Sequence, residues 1–174
     1  TAQTHSFVCT DQYVVINGFV TENSTGDGIY INTDAADNCI IRNCVARNHA
    51  GEGICVAYGD NARVENCLVY NNDGAGIRIL YNADGAVVTG CTVNNNNLDG
   101  IICSESDTTI RDSIVTNNNA YGIKALYTIV VDIDYSDVWN NTGGSYSDLS
   151  KTTVGDSCIS ADPLYVNAAS GNLR

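Results

Sequence analysis

Arg78 and Lys124 each follow a glycine by two residues, and Tyr58, Tyr81 and Tyr127 each follow the equivalent glycine by five. Two parallel columns of these side chains offer one kind of chemistry. Aromatic faces stack on sugar rings, while a guanidinium or ammonium pairs with a uronate carboxylate. The five residues are therefore the expected polysaccharide contacts. If bonds are also broken, Arg78 and Lys124 are the best-placed bases for a lyase step. The competing explanation is that tyrosines favour strand ends and that an acidic surface keeps a few cations for solubility.

A second set is acidic. Asp37, Asp60, Asp84 and Asp107 recur at nearly one turn position. Like charges stacked there repel, and calcium would stabilise them by offering a hard cation to several oxygens. Turn chemistry serves equally, because Asp37-Asn38, Asp60-Asn61 and Asp84-Gly85 are turn-forming pairs. Calcium is thus an option, and no cofactor is required. Arg42, Glu65, Thr89 and Arg111 form a further column, in which Arg42 and Glu65 read as a cross-strand pair. With His5 and His49 the only histidines and no C-x-x-C pair, a zinc centre is not expected. His49 reads as a solvated turn residue.

Such columns exist only if the chain repeats, and it does. Gly28-Ile29-Tyr30-Ile31 returns as Gly53-Ile54-Cys55-Val56, Gly76-Ile77-Arg78-Ile79, Gly100-Ile101-Ile102-Cys103 and Gly122-Ile123-Lys124-Ala125. Upstream lies a second register of Val15, Ile41, Val64, Val88, Ile110 and Ile133. A third follows as Val20, Ala46, Val69, Val93, Val115 and Val138. Each unit thus holds three short strands with alternating burial, separated by polar turns. The prediction is all-β: a single right-handed parallel β-helix, a solenoid of about six coils with three strands per coil, stacked ~4.8 Å apart.

The turns agree. Asn48, Asn71, Asn95, Asn117 and Asn140 share one position, where stacked amides can hydrogen-bond along the axis. Cys44, Cys67 and Cys91 share another, with Gly18, Ser113 and Ser136 in flanking coils, and read as inward small-residue packing. Cys9 and Cys158 fall outside the repeat and are the expected reactive or bridged thiols. The layout is an N-terminal segment (1–12), the repeats (13–142) and an irregular C-terminal cap (143–174) of the same domain.

Three stretches carry a family resemblance: Thr25 to Ile31, Asn38 to Cys44, and the N-N-x-G-x-G-I run from Asn71 to Ile77. Over residues 13–142 the chain closely resembles the right-handed parallel β-helix repeat family of the pectate-lyase-like superfamily. That resemblance implies a secreted protein and a polysaccharide partner. It leaves function open, because the family spans pectate lyases, polygalacturonases, epimerases, phage tailspikes and surface proteins. Polygalacturonases carry N-T-D, D-D, G-H-G and R-I-K. Here Asn32-Thr33-Asp34 and Arg78-Ile79 match only the first and part of the last. The epimerase D-P-H is broken at Asp162-Pro163-Leu164.

Eight Lys+Arg against 20 Asp+Glu give a formal charge of −12 over 174 residues. That balance excludes nucleic acid as a partner, and no apolar stretch is long enough for membrane insertion. The reading is an extracellular or cell-surface module that binds polysaccharide or serves as a structural unit, without a recognisable catalytic set. The alternatives are a lyase or glycoside hydrolase acting on an acidic polysaccharide, and a filament-forming surface protein that self-associates end to end through open strand edges.

Overall fold

The computed structural model describes residues 4–81, 83–127, 129–168 and 172–173. Residues 1–3 of the expected N-terminal segment, and residues 169–171 and 174 of the expected cap, lie outside it.

Short runs rich in Val, Ile and Thr form strands wherever alternate side chains can be buried. The first sheet orders β1 (Phe7–Cys9), β4 (Ile29–Asn32), β7 (Ile54–Ala57), β10 (Ile77–Leu80), β13 (Ile101–Ser104), β16 (Tyr121–Leu126) and β19 (Gly144–Tyr146). The second orders β2 (Val15–Asn17), β5 (Ile40–Arg42), β8 (Arg63–Glu65), β11 (Ala86–Thr89), β14 (Thr108–Arg111), β17 (Val131–Asp134) and β20 (Thr152–Val154). The third holds β3 (Val20–Glu22), β6 (Val45–Arg47), β9 (Leu68–Tyr70), β12 (Thr92–Asn94), β15 (Ile114–Thr116) and β18 (Asp137–Trp139). Neighbouring strands are parallel and come from successive coils. This is the all-β parallel solenoid of about six coils that the repeat predicts. Pairing extends beyond residues 13–142 at both ends, since β1, β19 and β20 lie outside that span.

Ile29, Ile54, Ile77, Ile101 and Ile123 stand in register and are fully buried. Each such side chain contributes about 1.5–3 kcal/mol. The first coil departs from the expected register by one residue. Ile16, not Val15, aligns with Ile41, and Thr21, not Val20, aligns with Ala46. Val15 and Val20 are instead exposed, at 49% and 60%. A one-residue slip moves every side chain to the other face, and the apolar choice was misleading because Thr21 faces inward to bond His49.

That histidine is buried, at 1% exposure, which corrects its reading as a solvated turn residue. Its Nδ1 lies 2.6 Å from Ser24 Oγ and its Nε2 lies 3.1 Å from Thr21 Oγ1. The Ser24 N–H donates to Nδ1 at 3.2 Å, so Nε2 carries the proton. Burial pushes the His49 pKa down.

His49 heads an internal row of amides: Asn72, Asn96, Asn118 and Asn141. Nδ2 of Asn72, Asn96 and Asn118 each donates to the Oδ1 of the next asparagine at 2.9 Å. Backbone N–H groups of Asn72, Asn96 and Asn118 donate to the same oxygens, and the His49 N–H to Asn72 Oδ1, at 3.0–3.1 Å. The residue before each is the one expected to stack. Asn48, Asn71, Asn95, Asn117 and Asn140 take left-handed corners, with φ between 53° and 57°. Side-chain bonds join Asn95 to Asn71 and Asn140 to Asn117, whereas Asn117 gives its amide to Asn94.

The repeated glycine is required by this interior. A Cβ on Gly76 would stand 2.3 Å from Val93 Cγ1 and 2.8 Å from both Asn96 Nδ2 and Gly100 O.

All eight cysteines are unbridged. Cys44, Cys67 and Cys91 are buried in one inward column, and Phe19 rather than Gly18 is their equivalent in the first coil, one residue on from the expected position. Cys9 belongs to the repeat, in register with Ile31 at the end of β1. In the C-terminal segment, the Ile159 N–H donates to Ser136 O at 2.9 Å, and the Val138 N–H donates to Ile159 O at 3.1 Å. Tyr165 lies across the third sheet, its hydroxyl 3.1 Å from Thr116 Oγ1.

Candidate functional site

The outer face of the first sheet gathers most of the partly exposed aromatic and charged side chains singled out above. Along its centre run Tyr30, Cys55, Arg78, Ile102 and Lys124, one per coil. Strand alternation points them outward, because the isoleucines on either side point in. Just past the strands stand Tyr58, Tyr81, Glu105 and Tyr127. The Tyr58 and Tyr81 rings stack, with centroids 5.0 Å apart and planes 21° apart. Tyr58 and Tyr81 are 38% and 44% exposed, and Tyr127 is 62% exposed. Glu105 separates Tyr127 from the stacked pair by one coil.

A third row lies outside the residues expected from the sequence. Directly before each repeated glycine lie Asp27, Glu52, Ala75, Asp99 and Tyr121. Their signal was the acidic residue directly ahead of the repeated glycine, hidden among many Asn and Asp residues. This row holds the cations. Arg78 Nη1 donates to Glu52 Oε1 at 2.8 Å, and Lys124 Nζ donates to Asp99 Oδ2 at 3.3 Å. The carboxylates also brace the coils, since Asp27 Oδ1 accepts the Glu52 N–H and Asp99 Oδ1 accepts the Tyr121 N–H, both at 2.9 Å. His5 Nδ1 accepts the Asp27 N–H at 3.0 Å and lies 3.3 Å from Asp27 Oδ2.

The electrostatics of the row are divided. Burial, reinforced by the neighbouring Glu52 side chain, pushes the Asp27 carboxyl up to about 6. Burial alone would raise Glu52 too, but its hydrogen bonds with Asp27 and Arg78 hold it below the ordinary range. Desolvation acts to lower the Arg78 pKa, yet the Glu52 carboxylate raises it overall. Arg78 Nε is buried with no hydrogen-bond partner. The site thus presents a neutral-to-acidic wall, two paired cations and a stacked aromatic edge.

The acidic turn column lies elsewhere, at the corner leading into the second sheet. Oδ1 of Asp37, Asp60 and Asp84 accepts the backbone N–H of the next aspartate at 3.0–3.2 Å. Asp107 does the same for Val130 at 2.7 Å. One oxygen of each therefore satisfies the following turn. Among the described residues no group of three His, Cys, Asp or Glu side chains is placed to hold a metal ion. Arg42 and Glu65 are in register, but Glu65 pairs with Arg63.

A family profile described as "Right handed beta helix region" matches residues 5–162. The chain belongs to this family. Among solved structures, the family fold is shared with a pectate lyase, Pel9A, at a TM-score of 0.73 and 13% identity, covering 95% of this chain and 60% of that one. The periplasmic alginate epimerase AlgG matches at 0.72 and 14% identity, covering 90% of this chain and 46% of that one. The Azotobacter vinelandii mannuronan C-5 epimerase AlgE4 A-module matches at 0.59 and 20% identity, over 76% of this chain and 44% of that one. Identities this low establish shared β-helix architecture. The chain spans 60% or less of each of these structures. A search of curated proteins by sequence returned no match. No helix among the described residues is long and apolar enough to cross a membrane.

Proposed function

We propose that the outer face of the first sheet binds a polysaccharide laid across successive coils, in an extracellular or cell-surface setting. One observation carries this reading. At the other repeated corners the left-handed residue is mostly Asn, Gly or Asp, which adopt that conformation cheaply, with Tyr13 and Tyr135 as single exceptions. At the corner after the first sheet it is Tyr58, Tyr81, Glu105 and Tyr127, with φ of 58–66°. A bulky residue there costs about 1–2 kcal/mol. Strain retained three times by tyrosines in one column supports a use for the exposed ring. Solved structures of the same fold that are named as a pectate lyase and as alginate epimerases agree with a polysaccharide partner.

Both cations expected to meet uronates already face carboxylates, Arg78 with Glu52 and Lys124 with Asp99. Hydroxyl-rich neutral chains therefore suit this face better than acidic ones, with carboxylates accepting sugar hydroxyls beside the ring stack. The test is retention of the protein on neutral and uronate polysaccharides, with and without calcium, while following glycan size. Retention on neutral chains of unchanged length, lost in Tyr58→Ala/Tyr81→Ala, is the expected result. Retention only on uronates, or none, overturns it.

A further inference from the structure

Cys9 and Cys39 place their sulfurs 3.7 Å apart across the first two coils. Cys9 ends β1, and Cys39 immediately precedes β5. Both thiols also point at one acceptor, the Asp11 carbonyl, at 3.4 and 3.1 Å. Both residues are buried, so neither thiol is held there by chance exposure. Among the described residues no other two thiols share a backbone acceptor, since Cys44, Cys67 and Cys91, though stacked, each turn to separate carbonyls. Contact of two sulfurs needs only a further approach of under about 2 Å to become a covalent bond.

We propose that Cys9 and Cys39 are a disulfide-forming site that fastens the first coil to the second. The position gives the bond its purpose. Among the described residues β1, β2 and β3 each pair on one side only, with β4, β5 and β6. In a solenoid each coil is held by its neighbours alone, so a coil paired on one side opens before coils paired on both. A Cys9–Cys39 bond closes the chain across that coil and limits the opening.

The chemistry balances with a small-molecule disulfide as oxidant. One cysteine thiolate attacks that disulfide, forms a mixed disulfide and expels one small thiol. The second thiolate then attacks the protein sulfur, forming the Cys9–Cys39 bond and expelling the other small thiol. Two electrons pass to the oxidant, and the two protein protons end on its thiols. Burial pushes the Cys39 thiol up to about 11, so exchange proceeds from the opened first coil and not from the closed one.

The test incubates reduced protein with oxidised glutathione at increasing, sub-denaturing urea, then counts thiols and maps the bridge by peptide mass. Six free thiols of the original eight, a mapped Cys9–Cys39 peptide, and a rate that climbs with urea are expected. Tm should rise on the order of 5 °C and fall back when reductant is added. Cys39→Ser should keep seven free thiols and show no oxidant-dependent rise. Eight free thiols in folded, oxidant-treated protein overturn the proposal, as does a bridge mapped within Cys44, Cys67 and Cys91. Should Cys39→Ser fail to fold, the wild-type map and its reversal by reductant decide alone.

Discussion

Asp27 Oδ1 accepts the Glu52 backbone N–H at 2.9 Å, so a carboxyl of one coil completes the backbone of the next. The same carboxyl sits beside the Glu52 side chain with its pKa near 6. A raised folded-state pKa means that the folded protein binds this proton more tightly than the unfolded chain. Asp27 therefore favours folding at acid pH, and that contribution is lost as pH rises from about 4 through about 6. Asparagine would keep the acceptor and add a donor toward Glu52. Asp27→Asn is expected to raise Tm by about 2–4 °C at pH 8, for about 1 kcal/mol, and to leave it nearly unchanged at pH 4. Paired melting curves at the two pH values check this. A fall at pH 8 would show that the charge itself is wanted there.

The tyrosine corner sets stability against recognition. Tyr81→Asn relieves a left-handed tyrosine, about 1 kcal/mol, but removes a ring stack of similar worth. Tm is expected to stay within about 2 °C of wild type. Retention on the glycan should weaken by about fivefold, the loss of about 1 kcal/mol of ring contact. Affinity electrophoresis alongside calorimetry separates the two effects, and unchanged retention would remove Tyr81 from the binding face.

Asn96 occupies the middle of the internal amide row. Its Oδ1 takes both the N–H and the Nδ2 of Asn72, and its own amide serves Asn118. Asn96→Leu would leave the buried Asn72 N–H without its acceptor and take one of two partners from Asn72 Nδ2 and from Asn118 Oδ1, which keep the Ala46 carbonyl and the residue-96 backbone N–H. A loss of about 2 kcal/mol, or about 4–8 °C in Tm, is expected by thermal circular dichroism.

His49 carries a pH dependence of opposite sign. The folded state keeps it neutral, so the unfolded chain takes the proton first as pH falls below about 6.5, and stability declines. In His49→Asn that decline should be absent. The observable is the difference between the two proteins in Tm change from pH 7.5 to 5, because Asp27 and Glu52 titrate in both. Equal changes would mean that His49 is protonated in the folded state.

The repeat made the coils legible because burial recurs with the strand period, and each isoleucine must meet its counterpart in the next coil. Reading failed where burial and polarity part company. Thr21 is polar yet inward because a buried imidazole awaits it, so the first coil was placed one residue out. In the asparagine doublets, either residue can stack, and only the left-handed φ of the first turns the second inside. Of the site, the central column and the tyrosines could be counted from the glycine. Asp27, Glu52 and Asp99 could not be distinguished from turn residues, since nothing in spacing shows a carboxylate reaching sideways to Arg78 or Lys124.

The amide row gives the molecule an electrical direction. From Asn72 to Asn141 every carbonyl oxygen faces the preceding coil, and from Asn72 to Asn118 every amide nitrogen faces the following one. Their dipoles add instead of cancelling, as peptide dipoles do along a helix. At the far end Asn141 Nδ2 turns aside to the carbonyls of Val115 and Trp139. A further coil could join the row there only by offering an acceptor, whereas at the His49 end the Ser24 N–H of the first coil already supplies the donor. The interior therefore carries a single electrical polarity along the coils, from the imidazole to the last amide.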